Sequence, residues 1–94
     1  MLDPDLDDRT VLVTGSARGI GRAVLLALAE NGATVAVHYN TSDGAAMETA
    51  EEARARGAPN AVTVQGDVTD PDGVDALFER VEATLDPVDV LINN

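Results

Sequence analysis

Thr14-Gly15-Ser16-Ala17-Arg18-Gly19-Ile20-Gly21 stands between two segments of different hydrophobic period. Before it, Thr10-Val11-Leu12-Val13-Thr14 is a short β-branched apolar run, the pattern of a strand buried on both faces. After it, residues 19–31 read as a helix, with Ile20, Ala23, Val24, Ala27 and Leu28 as the core-facing stripe and Gly32 as its left-handed stop. A plain strand-to-helix turn needs one glycine; this one has three, spaced Gly-xxx-Gly-x-Gly. That surplus fits a phosphate cradle. A helix N-terminus supplies orphan N–H donors and the positive end of the dipole, and glycine lets the backbone approach the anion. Gly21 is followed by Arg22-Ala23 and not by Lys-Ser/Thr, which excludes the mononucleotide type of phosphate loop.

Outward from the loop, strands and helices alternate. Thr34-Val35-Ala36-Val37-His38-Tyr39 is the second strand. Thr41-Ser42-Asp43 offers cap oxygens to a helix over 44–56, closed by Gly57, whose buried side is Ala46, Met47, Ala50 and Ala53. Residues 61–64 form the third strand. Asp70-Pro71 starts the third helix, with an acceptor at the N-cap and proline at N1, and Val74, Leu77, Phe78, Val81 and Leu85 form its stripe. Residues 88–92 are the fourth strand, and residues 1–8 are a polar lead-in. Right-handed crossovers then give an α/β fold, β-α-β-α-β-α-β, the N-terminal part of a Rossmann doubly wound parallel sheet of order 3-2-1-4. In that order the fourth strand is an edge exposing Val88, Val90, Leu91 and Ile92, to be covered by further strands or a partner chain.

Ninety-four residues make one domain at most. Seventeen acidic residues face six basic ones, all arginine, for a net charge of −11. Such a charge repels nucleic-acid phosphate and anionic membranes, and neither is expected as a partner. The acid-rich, lysine-free composition resembles proteins of halophilic archaea, where salt screens self-repulsion; a high-GC genome avoiding lysine codons gives the same composition. No cysteine, no apolar run of membrane length and no signal peptide pattern point to the cytoplasm. No metal-ligand set is assigned. His38, the single histidine, is expected to be a strand residue near an adenine edge or a neighbouring helix rather than a catalyst, and Met47 and Phe78 are expected in the core.

The loop 14–21 resembles the cofactor motif of the short-chain dehydrogenase/reductase (SDR) family, in its main rather than its extended subfamily. Gly66-Asp67-Val68-Thr69-Asp70 resembles the family's adenine-contacting segment. Asp89-Val90-Leu91-Ile92-Asn93-Asn94 resembles the start of its Asn-Asn-Ala-Gly motif, within which the sequence stops. The ends of the second strand and of the glycine loop look most like 3-oxoacyl-carrier-protein reductases and sugar dehydrogenases. The resemblance implies a nicotinamide dinucleotide held by Gly15, Ser16, Ala17, Arg18, Gly19, Ile20, Gly21, Tyr39, Asn40, Thr41, Ser42, Asp67, Val68, Asn93 and Asn94. Asp67 would accept from the adenine amino group; a turn-capping aspartate is the alternative. Of the two asparagines, one would brace the sheet and the other approach the ribose.

NADP is expected rather than NAD. An NAD site ends its second strand on a carboxylate for the ribose 2′-OH, and here that position falls at Tyr39, followed by Asn40, Thr41 and Ser42. Arg18 can take a 2′-phosphate bidentately, if it is not simply a solvated loop arginine. Asp43 is read as a helix cap. The resemblance also implies a catalytic Ser and a Tyr-xxx-Lys pair, none of which maps here: Tyr39 is misplaced and no lysine is present. Residues 1–94 are therefore expected to be the partial NAD(P)-binding domain of an oxidoreductase moving hydride between NADP(H) and a carbonyl or alcohol. The parent enzyme is expected to be a homo-oligomer. The alternatives are a non-catalytic nucleotide-binding or partner-pairing module, or a non-functional truncated product.

Overall fold

In the computed structural model, which describes residues 6, 7 and 9–94, the β-branched runs pair into a four-stranded parallel sheet. The elements are β1 (Thr10–Val13), α1 (Gly19–Glu30), β2 (Thr34–Tyr39), α2 (Asp43–Arg56), β3 (Ala61–Gln65), α3 (Pro71–Thr84) and β4 (Val90–Ile92). Strand order is β3-β2-β1-β4, as expected. Val11 pairs with Val35 on one side and Val90 on the other, and Val35 pairs onward with Ala61. The polar lead-in over 1–8 lies outside the described residues except for Leu6 and Asp7, and Leu6 packs against the core.

The two-residue side-chain alternation splits the core between the faces of the sheet. Val11, Val13, Val35 and Val37 meet α1 and α2 on one face, while Leu12, Ala36 and Val64 meet Leu77 and Val81 of α3 on the other. The chain changes sides where strand order reverses, between β1 and β4. Ligands of open α/β sheets bind outside the carboxyl ends at such a point. Aspartate pins the opposite end of the same strand pair: Asp89 Oδ2 accepts from the Thr10 amide at 2.9 Å.

The helix ends follow the local chemistry. Asp70 caps α3, its carboxylate accepting from the Asp72 amide at 2.9 Å with Pro71 behind it. Gly32 follows α1 at φ +90°, where a Cβ is disfavoured. The stripes differ from expectation. In α1 the buried residues are Gly21, Leu25, Leu26, Leu28 and Ala29, whereas Ile20 is 77% exposed and Ala23 is exposed. The phase is set by Gly21, which must face the backbone of the loop; Leu25, Leu28 and Ala29 follow at i+4, i+7 and i+8. In α2, Thr49 takes the buried place expected of Met47, which is exposed. Phe78 packs on the α3 core only half-buried. At the β4 edge Val90 and Leu91 are exposed, and Val88 and Ile92 are half-buried.

Candidate functional site

The site is assembled by β1 and β4 ending side by side. The Thr14 amide donates to the Ile92 carbonyl at 3.0 Å, and the Asn94 amide donates to Thr14 Oγ1 at 3.0 Å. The Asn94 side chain donates to the Gly15 carbonyl at 3.1 Å. Gly15 then turns the chain at φ +61° and Gly19 turns it again at φ +64°, into α1. Gly21 lies directly beneath the first turn. A Cβ there would overlap the Gly15 carbonyl oxygen and sit 2.6 Å from Asn94 Nδ2. Arg18 is the N-cap and makes no side-chain cap. Among the described residues the amides of Gly19, Ile20 and Gly21 have no partner, so the helix presents open donors at its positive end. The arrangement fits an anion.

Not all of the expected loop residues face outward. The Gly15 amide donates to His38 Nδ1 at 2.8 Å and the Ser16 amide to the His38 carbonyl at 3.1 Å. The Ser16 hydroxyl is fully buried, donating to the Val13 carbonyl at 2.7 Å and accepting from the His38 amide at 3.1 Å. The Ala17 carbonyl accepts from Thr49 Oγ1 at 3.0 Å. The amides of Gly15 and Ser16 and the Ala17 carbonyl thus brace the loop through their backbone bonds; Ser16 and Ala17 are buried, whereas Gly15, Arg18, Gly19 and Ile20 are exposed.

At the end of β2, Tyr39 is half-buried, Asn40 and Thr41 are exposed, and Ser42 lies within reach of the loop. Arg18 Nη2 donates to Ser42 Oγ at 2.9 Å, linking the glycine loop after β1 to the turn after β2. Ser42 makes no cap bond to α2; the nearest carboxylate, Asp43, turns to the Gly44 amide at 2.8 Å.

The third arm follows β3. Asp67 Oδ1 accepts from the Thr69 amide at 2.9 Å and the Thr69 hydroxyl at 2.6 Å. These bonds, the hydroxyl first, hold its carboxyl below the usual aspartate value. A turn-forming aspartate and an adenine acceptor are therefore compatible, because the turn occupies one carboxylate oxygen and leaves the other. Val68 is 37% exposed beside it. A cleft of about 350 Å³ opens along this arm, walled by Gly66, Asp67, Asp70, Gly73 and Leu77. Asn93 is exposed, while Asn94 is the asparagine that braces the sheet.

Sequence reasoning misses Thr49 and Gly73, and for His38 it gives the strand position but not the two partners of its ring. Thr49 is polar on an otherwise alanine-lined helix face and is fully buried against the loop. Gly73 interrupts α3 because a Cβ would run into the Asp67 carbonyl. Its only sequence signal is a glycine inside a helix, which costs about 1 kcal/mol and calls for a reason. His38 joins two arms across a separation in sequence that no local pattern reports.

A family model described as short chain dehydrogenase matches residues 9–94. Among curated proteins, L-rhamnose 1-dehydrogenase (NAD(P)(+)) of Sphingomonas sp. is 42% identical over 95% of this chain and 35% of its own length. A 3-oxoacyl-acyl-carrier-protein reductase of Staphylococcus aureus is 42% identical over 92% of this chain and 35% of its own. Among solved structures, a Burkholderia cenocepacia protein described as a dehydrogenase and solved with bound NADP superposes with a TM-score of 0.89 at 38% identity, over 99% of this chain and 36% of that one. The landomycin C-6 ketoreductase LanV, solved with NADP and rabelomycin, superposes with a TM-score of 0.79 at 43% identity, over 93% of this chain and 38% of that one. The chain spans about a third of the length of the curated relatives it matches.

Proposed function

Because the chain belongs to the short-chain dehydrogenase family, we propose that these residues hold NADP(H) for an oxidoreductase acting on a carbonyl or alcohol. The reading rests above all on Arg18, whose guanidinium meets the Ser42 hydroxyl at 2.9 Å where residues 39–42 carry no carboxylate. A 2′-phosphate carries roughly −1.5 to −2 charges, by analogy with phosphoserine, and suits a cation backed by hydroxyl donors. The open amides of Gly19, Ile20 and Gly21 suit the pyrophosphate, and the second oxygen of Asp67 with the Val68 backbone suits the adenine. Asn93 is assigned to the ribose side. Relatives solved with NADP support the choice.

When bound, the nicotinamide supplies the hydride chemistry. These residues bind and orient it and move no proton; the family's Ser and Tyr-xxx-Lys have no counterpart among them, and this reading assigns those roles to residues outside the 94. The reading also carries a cytoplasmic location and a homo-oligomeric parent enzyme; size-exclusion chromatography of the parent enzyme checks the oligomer.

Titration with NADPH and NADH by quenching or calorimetry tests the cofactor assignment. The expected result is NADPH preferred by at least about tenfold, with Arg18→Ala removing most of that preference and leaving NADH affinity within about twofold. Equal affinities for both cofactors in the unaltered protein would overturn it.

A further inference from the structure

His38 sits on β2 only 3% exposed, and both of its ring nitrogens end on backbone groups of the binding site. The Gly15 amide lies 2.8 Å from Nδ1, and Nε2 lies 2.7 Å from the Gly66 carbonyl. An amide N–H only donates and a carbonyl oxygen only accepts. Nδ1 therefore carries the lone pair and Nε2 the proton: the ring is neutral and held in one tautomer. The backbone of the same residue clamps Ser16, its N–H on Oγ and its carbonyl on the Ser16 amide, each at 3.1 Å.

One residue thus ties the start of the glycine loop to the residue before Asp67. From this geometry we infer that His38 is a positioning residue: a rigid strut that sets the distance between the phosphate-facing amides of α1 and the adenine-facing Asp67. The inference rests on the reading of the site as a dinucleotide site. Among the described residues no other side chain bridges these two arms with both ends hydrogen-bonded. Gly15 turns at φ +61° with its amide held on the His38 ring. Gly66 also donates its own amide to the Tyr39 carbonyl at 3.2 Å, so the strut and the sheet hold it from both sides. A ligand that spans both arms senses their separation. A ligand that touches one arm does not.

The test separates these cases. Asn at position 38 places an acceptor near the Nδ1 position and loses the far end; Gln places a donor near Nε2 and loses the near one. His38→Asn and His38→Gln are each expected to weaken NADPH binding by about tenfold, while adenosine, read by shifts in NMR spectra, keeps its affinity within about twofold. His38→Phe, with neither end, is expected to be the weakest binder; if it does not fold, the two amide variants decide. The ring nitrogens of the unliganded protein, identified by their loss in His38→Gln, are expected to show a neutral Nε2–H tautomer. Unchanged NADPH affinity in both amide variants, parallel losses for NADPH and adenosine, or a protonated Nδ1 would each overturn the strut. Failure of the unaltered protein to bind NADPH would instead overturn the dinucleotide reading on which the strut rests, with the tautomer still read independently.

Discussion

Gly19 and Gly21 are two residues apart and are glycine for different physical reasons. At Gly19 nothing lies near the place a Cβ would take, and the requirement is the backbone at φ +64°. At Gly21 the backbone is ordinary helix, and the requirement is space beneath the Gly15 carbonyl. Gly21→Ala is expected to cost about 2–3 kcal/mol by forcing loop and helix apart, and Gly19→Ala about 1–2 kcal/mol by left-handed strain. Denaturant midpoints check the order, and the reverse order contradicts it. Asp67 gives a pH prediction. Its folded-state value is depressed by the Thr69 hydroxyl and amide, so its contribution is complete above the unfolded value, about 3.9, and is lost as pH falls through the lower folded value. Stability and adenine affinity should therefore not respond to this group between neutrality and about pH 4.5. Asp67→Asn keeps an acceptor for Thr69 but turns a donor toward the adenine amine. A loss of about tenfold in NADPH affinity with a small fall in Tm, reflecting the weaker neutral acceptor for Thr69, is expected; unchanged affinity would remove Asp67 from the site. The glycine loop was legible in sequence because backbone requirements leave glycine no substitutes. His38 was not, because its partners are 23 and 28 residues away. A strand histidine looks the same whatever it touches.

At the scale of elements, every strand and helix was legible, since β-branched runs, the Asp70-Pro71 cap and the closing glycines are local signals. The phase of α1 was not. A stripe begun at Ile20 and one begun at Gly21 both collect apolar residues at helical spacing, and hydrophobicity gives glycine no weight. Packing reverses that weighting: Gly21 is held against the Gly15 carbonyl of the loop and carries Leu25, Leu28 and Ala29 inward with it. The α2 face was misread for a related reason, because a threonine whose hydroxyl is satisfied by the Ala17 carbonyl buries at little cost, and hydropathy alone ranks Met47 above it. The two helices give a paired prediction. Leu25→Ala should lose about 2–5 kcal/mol of stability, whereas Ile20→Ala, at an exposed site, should stay within about 0.5 kcal/mol. Chemical denaturation of the two variants decides the phase. If Ile20→Ala proves the costlier, α1 packs on the neighbouring stripe begun at Ile20, and Gly21 does not set its phase.

At the scale of the whole molecule, charge sets two responses of opposite sign. Net charge is −11 on 94 residues, and most acidic side chains are exposed, so the folded state repels itself more than the expanded chain does. Raising monovalent salt from 10 mM to 1 M shortens the screening length from about 30 Å to about 3 Å. Among the described residues the attractive pairs that salt would weaken, Arg56 with Glu30 and with Glu52, are exposed and few, and exposed pairs contribute little. Self-repulsion dominates, and Tm should rise with salt. The cofactor site responds the other way. On the proposed reading the exposed Arg18 takes the 2′-phosphate, so the same salt should erode the preference for NADPH over NADH while leaving NADH affinity nearly flat. Melting curves and paired titrations across one series of potassium chloride concentrations read both effects. A Tm that falls with salt would show that attractive pairs outweigh the net charge. A preference that survives 1 M salt would show that hydroxyl and amide donors, not Arg18, hold the phosphate.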